Sequence, residues 1–116
     1  MANISREQIE SMFHGMRVEA GWDTDRALLW GYYFTDSDPE RLTPVASRLV
    51  DQGYRFVAIH ETDDTNTHLL HVEREEVHTP ESLFERNLHL NALADEFAVE
   101  SYDGMDVGPA PEDSQR

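Results

Sequence analysis

Apolar residues recur at spacings of three and four at the start of the chain. Ile9, Met12, Phe13, Met16 and Ala20 predict an amphipathic helix, and Ser5 with Gln8 forms a capping-box pattern at its start. Gly21 is the expected stop. The pattern then changes to a continuous aromatic and apolar run over residues 27–34, bounded by Asp-rich turns. Such a run predicts a strand with both faces at least partly covered and placed centrally in a sheet.

Asp38-Pro39-Glu40 reads as a helix start, with Asp38 as cap and Pro39 at the first helical position. Leu42, Val45, Ala46 and Leu49 supply the apolar stripe, and Gly53 ends it. Pro44 removes one backbone bond, so the helix either kinks there or begins there behind Thr43; the longer helix is favoured. Residues 54–60 and 67–77 read as two strands of a hairpin joined by the polar turn 61–66. Thr79-Pro80-Glu81 repeats the cap-then-proline start, and Leu83, Leu90, Leu93, Ala94 and Phe97 fall in one helical arc with Asn87 and Asn91 inside or beside it. A buried hydrogen-bonding role is expected for at least one of these asparagines. A short strand over 99–103 closes the pattern, and Gly108-Pro109-Ala110-Pro111 opens a tail too polar and proline-rich to pack.

The order is a helix followed by β-α-β-β-α-β. Strand–helix–strand units close right-handed, so the expected fold class is α+β, a ferredoxin-like sandwich with an extra N-terminal helix. One domain over residues 1–107 and a disordered tail over 108–116 are expected. The extra helix could cover the second sheet face, where Trp30 and Tyr32 would otherwise be exposed; a homodimer interface could do the same.

Composition narrows the chemistry. The 116 residues contain no Cys and no Lys, which removes disulfides, thiolate catalysis, Schiff bases and the P-loop lysine. With 24 acidic side chains against nine arginines the formal net charge is −15. Such a charge repels nucleic acid and anionic lipid, whose affinity for proteins comes mainly from Lys and Arg. It attracts basic protein segments instead. Adaptation to salt would produce the same lysine-free acidity. No apolar run is long enough to span a bilayer and the N-terminus lacks a basic-then-apolar leader, so a cytoplasmic location is expected.

Candidate catalytic chemistry is thin. His68 and His71, three apart on a strand, point to opposite faces, although His60 could approach one of them across the hairpin. No Ser occupies a Gly-x-Ser-x-Gly turn, and paired carboxylates carry no specificity in a chain this acidic. The expectation is no enzyme, no cofactor and no metal. Glu73-Arg74-Glu75-Glu76 reads as a solvated strand edge that resists unwanted pairing. Tyr102-Asp103-Gly104 reads either as a packed Tyr followed by a turn needing positive φ, or as an aromatic anchor beside Asp103 and Asp106.

Asp38-Pro39-Glu40, Gly53-Tyr54, Leu93-Ala94-x-x-Phe97 and Tyr102-Asp103-Gly104 together resemble the RraB family of regulators of ribonuclease E activity, over residues 25–108. That family has a Glu-Tyr-Asp-Gly-Trp run at the last block; here Ser101 and Met105 replace its first and last residues. The resemblance implies a ferredoxin-like inhibitor that binds ribonuclease E, whose non-catalytic region carries arginine-rich RNA-binding segments. The expected partner is therefore ribonuclease E or another basic protein, bound through Glu96, Glu100, Tyr102, Asp103 and Asp106. The alternative is an assembly module that dimerises through its sheet face, with no nuclease partner.

Overall fold

A computed structural model describes residues 5–62 and 66–109. The described residues form an α+β fold with three helices and a four-stranded antiparallel sheet. Its elements are α1 (Arg6–Val18), β1 (Leu28–Asp36), α2 (Pro39–Asp51), β2 (Arg55–Glu61), β3 (His68–Glu76), α3 (Pro80–Glu96) and β4 (Ser101–Gly108). The strand order is β2-β3-β1-β4. β1 therefore lies inside the sheet, as its unbroken apolar run predicts.

Each helix starts where its capping chemistry says. Ser5 and Gln8 satisfy one another's backbone amides at α1, and Thr79 and Ser82 do the same at α3. Asp38 caps α2, and Pro44 is carried within that helix. Gly21 (φ +72°) and Gly53 (φ +101°) turn the chain away after α1 and α2, conformations that glycine adopts without strain. Ala20 lies beyond α1 and is exposed. The central residues 63–65 of the hairpin turn lie outside the described residues, but β2 and β3 pair antiparallel around it.

Alternation along β1 sorts the two faces of the sheet. Leu28, Trp30, Tyr32, Phe34 and Asp36 are buried on one of them, with Leu70 and Val72 of β3. The helices contribute Ile9, Phe13, Leu42, Leu49, Leu83 and Leu90 to this same core. The expectation that α1 would cover the opposite face is corrected. Phe13 stacks on Trp30, with ring centres 6.0 Å apart, so α1 packs beside α3 on the face the other helices already occupy. Trp30 needs no dimer partner to bury it. The opposite face carries Leu29, Gly31, Tyr33 and Thr35 of β1, and among the described residues no helix lies over it.

Asp36, fully buried, ties three elements together at one end of the sheet. Its carboxylate accepts from the Asp38 amide (2.8 Å), Arg41 Nη1 (2.9 Å) and the Glu100 amide (3.0 Å). These donors satisfy a charge that burial would otherwise penalise. No helix among the described residues is long and apolar enough to cross a membrane.

Candidate protein-binding surface

The last helix and the last strand carry the acidic and aromatic residues singled out in the sequence, and the fold divides them into three settings. Glu96 ends α3 exposed and pairs with Arg48 of α2 at 3.1 Å. Glu100, in the α3–β4 connection, is exposed and accepts from Ser37 Oγ at 2.6 Å. Asp103 is exposed on β4, three residues beyond Glu100. Asp106 lies roughly 10 Å further along β4 from Asp103.

Tyr102 is in the interior. Its ring lies 5.1 Å from that of Phe34, and its hydroxyl donates to Asn87 Oδ1 at 2.5 Å. Burial raises its pKa. It holds β4 to α3 and offers a partner no aromatic surface. Asn87 in turn donates to the Leu83 carbonyl at 2.9 Å, the buried role expected of one of the asparagines.

Asp103-Gly104 makes a bulge within the strand, which corrects the expectation of a turn. The pairing passes from Tyr33↔Gly104 to Phe34↔Tyr102, so Asp103 has no partner on β1 and stands exposed, while Gly104 takes φ +114°. β4 consequently runs on to Gly108, well past residue 103. Of the expected tail, residues 110–116 lie outside the described residues.

Beyond the bulge Asp106 faces the uncovered side of the sheet, opposite Gly31. Tyr33 donates its hydroxyl to Asp106 Oδ2 at 2.7 Å, and the Tyr33 and His71 rings stack with centres 4.6 Å apart. Partial burial, and after it the Asp106 bond and charge, raise the Tyr33 pKa. Glu73 sits opposite Gly31 on β3 and pairs closely with Arg55 of β2. Nothing in the sequence links Tyr33, His71 and Glu73 to Asp106; the strand register brings them to it.

A second polar cluster corrects the reading of residues 73–76 as a solvated edge. β3 is an inner strand, and Arg74 and Glu76 point to the helix side. Glu76 takes both terminal nitrogens of Arg86 and the Tyr32 hydroxyl (2.7 Å), with His78 Nε2 at 3.1 Å. The signal available in the sequence was alternation: Leu70, Val72, Arg74 and Glu76 share one face, and the first two are apolar.

Among the described residues no group of three or more His, Asp or Glu side chains is placed to hold an ion. His68 and His71 do point to opposite faces, and His60 stands opposite Leu69. The model of the family described as Regulator of ribonuclease activity B, RraB, matches residues 6–107, nearly the whole chain. No curated protein matches it.

Proposed function

Because the chain belongs to the RraB family of regulators of ribonuclease activity, we propose that it binds a basic segment of a ribonuclease E type endoribonuclease and inhibits it, with no catalysis of its own. One observation carries the reading beyond the family. Among the described residues, Arg6, Arg41, Arg48, Arg55, Arg74 and Arg86 form ion pairs with the chain's own carboxylates. Internal pairing takes up much of the small cationic complement, and the excess of carboxylates is left to face solvent. That excess suits an arginine-rich partner and repels RNA. Occupying such a segment removes the nuclease's grip on RNA without any active site.

The contact surface in this reading is acidic: Glu96, Glu100 and Asp103 from the end of α3 to the start of β4 and Asp106 on the sheet, with Tyr102 behind them as support. A cytoplasmic site of action belongs to the same proposal. The order β2-β3-β1-β4 with antiparallel pairing supports a ferredoxin-like assignment of the fold, α1 being the addition.

The test is RNA cleavage by ribonuclease E from the same organism, with and without this protein, over a series of salt concentrations. Inhibition that weakens as salt rises is the expected result, since exposed charges are screened over about 10 Å at 0.1 M. Unchanged cleavage together with no co-purification at low salt would refute the proposal.

A further inference from the structure

The open sheet face contains a hollow of about 220 Å³ beside Gly31, lined by Leu29 and Val107 as well as by Tyr33, His71, Glu73 and Asp106. A Cβ on Gly31 would stand 2.6 Å from Asp106 Oδ1, 3.0 Å from His71 Nε2 and 3.3 Å from the Tyr33 hydroxyl. Those three polar side chains close in over Gly31 and fill the space that a Cβ would need, so the hollow opens beside them and their polar atoms form its edge. The stacked Tyr33 and His71 rings contribute an aromatic wall, and Glu73 faces Asp106 from the other side of Gly31. The Tyr33 hydroxyl holds Asp106 by Oδ2, which leaves Oδ1 over Gly31.

The lining selects among ligand classes. An anion would meet Asp106 and Glu73. An apolar group would have to strip water from Asp106 with no hydrogen bond in return. The hollow is also smaller than the roughly 300 Å³ at which sites for drug-sized molecules begin, so it suits a single side chain. A guanidinium fits each feature: it is cationic, its edge donates to a carboxylate, and its flat face packs on aromatic rings. The chain already makes such a pair in the same row of the sheet, where Arg55 reaches Glu73.

We propose that the hollow beside Gly31 receives an arginine side chain of the basic partner, its guanidinium donating to Asp106 Oδ1 and lying against the Tyr33–His71 pair. This rests on the preceding reading only in taking the partner to be basic. It moves the specific contact from the α3–β4 connection to the open sheet.

The probe is a nine-residue arginine peptide titrated into the full chain by calorimetry, with a nine-residue lysine peptide beside it. Asp106→Asn keeps an acceptor for the Tyr33 hydroxyl and removes the charge from an exposed position. Glu10→Gln, on exposed α1, removes one charge elsewhere. Arginine should bind more tightly than lysine, Asp106→Asn should weaken the arginine peptide about tenfold, as loss of a charged hydrogen bond does, and Glu10→Gln should change it less than about twofold. Backbone amide shifts at Gly31 and Tyr33 should follow the titration. Equal weakening by the two substitutions, equal binding of the two peptides, or no binding would each overturn the site.

The same variants in the ribonuclease assay separate the two proposals. Equal inhibition by the unchanged chain and Asp106→Asn would overturn the hollow as the contact and leave the regulator reading standing. Asp106-dependent arginine binding by a chain that does not inhibit the nuclease would do the reverse.

Discussion

Arg86 holds Glu76 from both terminal nitrogens, Nη1 donating to Oε2 at 2.7 Å and Nη2 to Oε1 at 3.0 Å. The pair fastens α3 to β3 beneath the sheet, and the guanidinium also lies over the Tyr32 and Tyr54 rings, 5.7 and 5.4 Å from their centres. Replacing Arg86 leaves a half-buried carboxylate without its main partner. Arg86→Met, which retains most of the side-chain stem, should destabilise the fold by about 2–3 kcal/mol, read from urea unfolding at neutral pH. An unchanged midpoint would show that solvent already neutralises Glu76.

The same carboxylate makes the fold sensitive to acid. Burial works to raise the Glu76 pKa, but hydrogen bonds with His78, Arg86 and Tyr32 outweigh it and hold the group at about 2, against an ordinary 4.5. A carboxyl that ionises more readily folded than unfolded stabilises the native state above its unfolded value, and the stabilisation disappears as pH falls from there through the folded value. Stability should therefore decline between pH 4.5 and about 2. Glu76→Gln should flatten that part of a pH series of urea midpoints.

Tyr102→Phe removes the hydroxyl that donates to Asn87 Oδ1 and keeps the ring in the core. The buried amide oxygen then lacks this donor, at a cost of about 1–3 kcal/mol. Binding of a basic peptide at a temperature where the variant is folded should not change, because Tyr102 is 1 % exposed. A loss of affinity without a loss of stability would return Tyr102 to the binding surface.

Two backbone positions near β4 should respond in opposite directions. After α3, the amides of Ala98 and Val99 return to the Asp95 and Ala94 carbonyls, a helix ending that places Ala98 at φ +57°. Ala98→Gly should relieve this left-handed strain and raise stability by about 1 kcal/mol. Gly104 has φ +114°, and a Cβ added there would meet nothing within 4 Å, so Gly104→Ala should cost about 1–2 kcal/mol from backbone strain alone. Gly108→Ala, with equally open surroundings and no such φ, is the control. Thermal unfolding of the three variants checks both signs.

Short-range rules were sufficient wherever a few neighbouring residues decide the outcome. Ser5 with Gln8, Asp38 with Pro39 and Thr79 with Pro80 mark three helix starts because capping is settled within one turn. The apolar runs likewise mark the strands and the buried stripes, since burial follows the period of each element. What those rules could not decide was which elements meet. Whether Glu76 is an edge charge or a buried anchor depends on β3 being flanked by β2 and β1, and whether α1 covers one sheet face or the other depends on Phe13 reaching Trp30. Asp103 and Gly104 form a bulge only because β1 continues to pair beyond them. Gly31, Tyr33, His71 and Asp106 come from three strands, and only the register of the sheet gathers them, because pairing between distant segments is set by the packing of the whole chain.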